Sequence, residues 1–144
     1  MSTGQAHELQ AALASFFERA RVPGLVSAYV FGSHARGVAH AESDLDVAVL
    51  LDYGSCPDRG ARAGVAARLG TELIAATHRN EVDVVVLNDA PPELAVAVVS
   101  HGRRLYCADP EADHGFVRMA LLRHADLRPF LERTRRLKLQ ALAR

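Results

Sequence analysis

The sequence predicts an α/β fold of the α+β kind: a small mixed sheet flanked by helices, with a C-terminal helical extension. Two observations predict it. Helical and strand patterning alternate in the order helix–strand–strand–helix–strand–helix–strand–helix. The first two strands are joined by only about a dozen residues, too few for a full crossover helix, so an antiparallel or mixed pairing follows. The 144 residues suit one domain, which at this size buries roughly 68–70% of its unfolded surface.

Each element has its own signal. Residues 6–20 repeat Leu9, Leu13, Phe16, Phe17 and Ala20 at helical spacing, and Pro23-Gly24 stops them. Leu25 to Phe31 is a short apolar, aromatic-containing strand. Asp44 to Leu51 is a second strand. Its alternation sets Asp44, Asp46 and Ala48 on one face and Leu45, Val47 and Val49 on the other. Asp52 to Gly60 has loop composition, and residues 61–77 form a helix with Val65, Leu69, Leu73 and Ile74 inward. Val82 to Leu87 is almost wholly β-branched and predicts a central strand buried on both sides.

Pro91-Pro92 opens a helix through Val99 that Gly102 stops. Arg103 to Cys107 is the last strand, and Asp109-Pro110 starts the C-terminal helical region. Pro129 is expected to kink or divide that region, with Asp126 as an N-cap of its second part. Leu127, Phe130, Leu131, Thr134 and Leu137 then line one face, expected to pack in the core, with Arg128, Arg133, Arg135, Arg136 and Lys138 outside. Residues 1–108 form the core and 109–144 the extension, packed on the same domain.

Charge divides the chain. The 17 basic and 17 acidic residues cancel. Residues 1–116 hold 9 basic and 15 acidic residues, and residues 117–144 hold 8 basic and 2 acidic. A uniformly basic surface for nucleic acid is excluded, whereas a local cationic segment that suits a partner is present. No apolar run approaches the ~18 residues of a membrane span, and the N-terminus has no signal-peptide pattern. Cys56 and Cys107 form no Cys-x-x-Cys unit, so a reduced, cytoplasmic protein is expected.

Three carboxylates carry the chemistry. Asp44 and Asp46 share a strand face roughly 6–7 Å apart, and Asp83 interrupts another strand. Aspartate is disfavoured in strands, and gathered anions need a cation. Mg²⁺ is the natural one for hard oxygen donors. The plainer alternative is edge aspartates that merely solvate the sheet and block aggregation. Gly32-Ser33 weighs against it. Glycine at a strand end admits a close ligand, and a serine opening a helical turn offers its hydroxyl and N–H groups to phosphate.

The runs Phe31-Gly32-Ser33-His34-Ala35-Arg36-Gly37 and Ser43-Asp44-Leu45-Asp46-Val47-Ala48-Val49 resemble the DNA polymerase β-like nucleotidyltransferase superfamily. The small size, Ala35-Arg36-Gly37 and the Val82-Asp83-Val84 strand resemble its minimal nucleotidyltransferase (MNT) branch. Ala90-Pro91-Pro92-Glu93, Gly102-Arg103-Arg104-Leu105-Tyr106 and Leu127-Arg128-Pro129 resemble the MntA-type adenylyltransferase antitoxins, which pair with HEPN-domain ribonuclease toxins. The resemblance implies a polymerase β-like fold, two Mg²⁺ ions on Asp44, Asp46 and Asp83, and Asp83 orienting or deprotonating the incoming hydroxyl. It implies that Gly32 and Ser33 hold the ATP phosphates. Arg36 adds a phosphate contact or a surface salt bridge. Ser43 caps a turn or supports Asp44, and His34 is a variable loop residue or a nucleotide contact.

The implied reaction is transfer of AMP from ATP to a tyrosine of a HEPN toxin, with release of pyrophosphate. The implied state is a hetero-oligomer without stable nucleic-acid or membrane binding. The basic helix with Arg128, Arg133, Arg135 and Arg136 is the expected docking element. A small-molecule enzyme like the aminoglycoside nucleotidyltransferases, a non-catalytic antitoxin acting by stoichiometric contact, and a polynucleotide polymerase are the competing readings.

Overall fold

The structure, a computed structural model, describes residues 3–32, 35 and 44–142. Its sheet comprises β1 (Leu25–Phe31), β2 (Leu45–Leu51), β3 (Val82–Val86) and β4 (Arg103–Cys107) in the order β3-β2-β1-β4. β1 runs antiparallel to β2 and β4, and β2 runs parallel to β3. The mixed sheet expected from the short β1–β2 connection is therefore present.

Alternation along β2 divides the core into two layers. Leu45, Val47 and Val49 face α1 (Thr3–Ala20) and α2 (Arg59–Thr77), where Leu13, Phe17, Leu69 and Leu73 are buried against them. Ala48 and Leu50 face α3 (Pro92–His101) and the start of α4 (Pro110–Leu142), against Val98 and Phe116. Asp46 belongs to this second face. The N-terminus of α2 is fastened by Asp58, whose carboxylate accepts from the Ala61 N–H at 2.7 Å.

Three expectations are corrected. β3 is an edge strand, not a central one. Its valines do pack on both faces: Val82, Val84 and Val86 join the first core, and Val85 the second. β-branched composition reports the faces of a strand and carries no information about its flank. Ile74 is 38% exposed rather than inward. The C-terminal region is one helix through Pro129, with Asp126 inside it and not at an N-cap. Proline forfeits one hydrogen bond, to the residue four positions earlier. That residue, Ala125, is exposed, so water can serve its carbonyl.

Three apolar residues of the α4 face expected to be core are also exposed, and Thr134 is half-buried. Leu127 is 40%, Phe130 62% and Leu137 59% accessible, and Leu139 and Leu142 are exposed too. Only the first part of the helix finds the sheet, through Asp113, Phe116 and Ala120. No helix among the described residues is long and apolar enough to cross a membrane.

Two polar latches escape periodicity analysis. Asp113 is buried, and one carboxylate oxygen accepts from Ser27 Oγ at 2.6 Å and Tyr29 Oη at 2.7 Å. Its other oxygen accepts from Arg104 Nη1 at 3.1 Å. Buried Arg62 grips Asp89 with two bonds, at 2.8 and 3.0 Å, and donates to the Cys56 carbonyl at 2.9 Å. That hydrogen-bonded guanidinium holds the Asp89 carboxyl below its ordinary range. The pair ties α2 to the turn that follows β3.

Candidate active site

The site grows from the ends of three adjacent strands. β1 ends at Phe31, and Gly32 follows with φ +73°. This left-handed conformation favours glycine. The spacing does so as well: an added Cβ would stand 2.6 Å from the Asp46 Oδ2 atom. The Gly32 backbone is thus packed directly against the Asp46 carboxylate.

Asp46 is held by its neighbours in sequence. Leu45 and Val47 are fully buried on the opposite face, which turns the half-buried Asp46 side chain toward the second face. Register then brings in the other two strands. Asp46 lies opposite Phe31 of β1 and opposite Asp83 of β3. Register partners share a face, and neighbouring strands lie about 4.7–4.9 Å apart. Two carboxylates are therefore side by side, with Asp83 exposed at the outer edge. Asp44 is exposed and immediately precedes β2.

The structure thus brings Gly32, Asp46 and Asp83 together and leaves Asp44 at the entrance. Among the described residues, no three His, Cys, Asp or Glu side chains converge as a ready-made metal cluster. Ser33, His34, Arg36 and Ser43 lie outside the described residues. Sequence reasoning missed Arg103 of β4, whose Nε donates to the Ala35 carbonyl at 3.3 Å. It ties Ala35 to β4, at the opposite edge of the sheet from β3. Its only sequence signal is its place in Gly102-Arg103-Arg104.

Donor chemistry limits what this site can hold. Among the described residues its ligands are carboxylates, hard oxygen donors that suit Mg²⁺ rather than a soft metal. The nucleotidyltransferase family model described as Polymerase beta matches residues 13–111, a range that includes Gly32, Asp44, Asp46 and Asp83. The chain belongs to the polymerase β-like nucleotidyltransferases.

Within that family the chain resembles the MNT type. It is 35% identical over 88 residues to the protein adenylyltransferase MntA of Shewanella oneidensis, a match covering 61% of this chain. The match spans 58% of that relative's length. A solved toxin–antitoxin complex with AMP-PNP contains a chain 26% identical to this one, with a TM-score of 0.65. The superposition covers 94% of this nucleotidyltransferase and 98% of that chain. The MNT antitoxin complex with a tri-AMPylated Shewanella oneidensis HEPN toxin contains a chain of the same fold. It is 24% identical, with a TM-score of 0.60, and 95% of this chain and 98% of that one are covered.

Proposed function

We propose that this nucleotidyltransferase is an Mg²⁺-dependent antitoxin. It transfers AMP from ATP to a tyrosine hydroxyl of a HEPN ribonuclease toxin and works in the cytoplasm as part of a hetero-oligomer. The observation that carries the reading is the Asp46–Asp83 register pair beside the left-handed Gly32. The likeness to the MntA adenylyltransferase and to a toxin–antitoxin chain solved with AMP-PNP supports it.

The residues have separate tasks. Gly32 and Ser33 bind the outer phosphates of ATP through backbone N–H groups and the serine hydroxyl. Arg36 adds charge there, and Ser43 supports Asp44. Asp44, Asp46 and Asp83 hold the cation, which when bound neutralises charge on the attacking and leaving oxygens. Asp83, the outermost carboxylate, receives the proton as the tyrosine O–H bond breaks. The new bond forms between that oxygen and the α-phosphorus, the α–β phosphoanhydride bond breaks, and pyrophosphate leaves.

The test uses α-labelled ATP, Mg²⁺ and the product of any HEPN-type gene found beside this one. Label is expected on the HEPN protein and is expected to vanish with Asp44→Asn. Protection from toxicity that survives Asp44→Asn combined with Asp46→Asn supports stoichiometric binding instead. An unlabelled neighbour together with a modified aminoglycoside supports the small-molecule reading.

The outer half of α4 is the proposed toxin-docking element. Its exposed Phe130 and Leu137 share one helix face and stand among Arg133, Arg135, Arg136 and Lys138. An exposed apolar stripe with a cationic surround is what a partner surface looks like before it is covered. Reversing Arg133, Arg135 and Arg136 to Glu is expected to weaken toxin binding at least tenfold by calorimetry, with circular dichroism unchanged. Unaltered affinity removes this helix from the interface.

A further inference from the structure

We propose that the free edge of β3 is the docking track for the acceptor. An extended, mainly apolar segment of the acceptor protein pairs with β3 as a fifth strand and carries the modified hydroxyl past Asp83. The inference rests on the nucleotidyltransferase reading of Asp46 and Asp83.

Hydrogen-bond alternation shows that the track is open. The Leu45 N–H donates to the Glu81 carbonyl at 3.4 Å, and Leu45 lies opposite Val82. In a parallel ladder this assigns the bonds with β2 to Glu81, Asp83 and Val85. The N–H and C=O groups of Val82, Val84 and Val86 then point away from the sheet. β3 contains no lysine, no proline and no bulge in its register with β2, and its one charged residue is Asp83.

The surroundings are shaped for a strand. A slot of about 610 Å³ runs along all five residues of β3, with α2 as one wall and the start of α3 as the other. The α2 wall is made of small residues, among them Ala63, Ala67 and Gly70. A methyl group at Gly70 would already touch the outward Val82 carbonyl, at 3.7 Å, so glycine keeps it accessible. Main-chain pairing with alternate side-chain pockets is how extended peptides are recognised at sheet edges.

The slot also contains Asp83 and is therefore continuous with the carboxylate pair. A residue paired opposite Asp83 would project its side chain onto the face shared with Asp46. That continuity favours an acceptor segment over a second copy of this chain. Pairing between two copies would cover Asp83 without delivering a hydroxyl.

Two measurements on the protein test this with a purified HEPN-domain acceptor. In amide hydrogen exchange, Val84 and Val86 are expected to exchange fast in the free chain and at least tenfold more slowly in the complex. Asp83 and Val85, already bonded to β2, are expected to change little. Ala67→Trp, an exposed wall position, is expected to raise the KM for the HEPN protein at least tenfold and leave AMP-PNP affinity unchanged. Label transfer without protection of Val84 and Val86 overturns the track and leaves the adenylylation reading standing. Protection without label transfer overturns that reading and leaves β3 as the docking edge. Protection that grows with the chain's own concentration, with no HEPN protein present, assigns the edge to a second copy and overturns the proposal.

Discussion

Gly32→Ala is expected to lower AMP transfer to the same floor as Asp46→Asn, roughly 10²–10³-fold below wild type. The reason is local. A β-carbon at residue 32 would lie 2.6 Å from Asp46 Oδ2, inside any tolerated contact, and the backbone there has φ +73°. Either the carboxylate leaves its place or β1 shifts at its end. The left-handed conformation itself costs about 1–2 kcal/mol for a residue with a side chain, which a domain of ordinary stability survives. The two substitutions damage one contact, so the double variant is expected to be no slower than either single one. Single-turnover labelling of the HEPN protein gives the rates, and circular dichroism verifies the fold. A Gly32→Ala protein that keeps half the wild-type rate separates the glycine from the carboxylate.

Asp113→Ala is expected to destabilise the chain by about 3–4 kcal/mol, because two buried hydroxyls lose the carboxylate that accepts from them. Ser27 is fully buried and Tyr29 nearly so. Arg104 contributes less, since its side chain is 43% exposed, and an exposed ion pair is worth roughly 0–1 kcal/mol. Arg104→Ala should therefore cost under about 1 kcal/mol. The same network sets an alkaline limit. Burial, and then the hydrogen bond to Asp113, push the Tyr29 phenol well above its ordinary value. The folded chain thus keeps the proton that the unfolded chain releases above about pH 10. Stability from this group is complete below that pH and is lost as pH rises toward the raised folded value, by up to about 1.4 kcal/mol per pH unit. Urea denaturation from pH 8 to 11 measures this slope, and Tyr29→Phe is expected to flatten it. An unchanged slope in Tyr29→Phe assigns the alkaline loss to another group.

The candidate site was largely legible because its residues offend local rules. Aspartates inside apolar strands, and a glycine–serine pair at a strand end, have no packing use that explains them. Asp46 and Asp83 each stood out as an acidic break in an apolar strand, whereas Asp44, expected on the same strand as Asp46, lies just before β2. The elements were legible for the related reason that periodicity is a local property. β1 and β4 occupy the residues that the sequence pattern predicts. α2, by contrast, starts at Arg59, two residues before the predicted helix, because Asp58 caps it.

What failed was whatever depends on the partner of an element. The valines of β3 are equally consistent with a central or an edge position. The apolar residues of α4 read as core although the sheet is already covered before the helix reaches them. Asp113 and Arg62 carried no sequence signal, because their partners, Tyr29 and Asp89, are 84 and 27 residues distant.

The sequence by itself thus determined the element order, the alternating faces of β2 and the residue types of the candidate site, all set by separations of a few residues. The tertiary structure alone decided that Asp46 and Asp83 share a register, that Gly32 closes on Asp46, and that among the described residues nothing covers one flank of β3 or the outer half of α4. Those properties follow from which strand pairs with which and where helical cover ends, and local pattern leaves both undetermined. The zero net charge shows the same division. Its cancellation was countable from composition, but only the fold shows the cationic helix standing exposed.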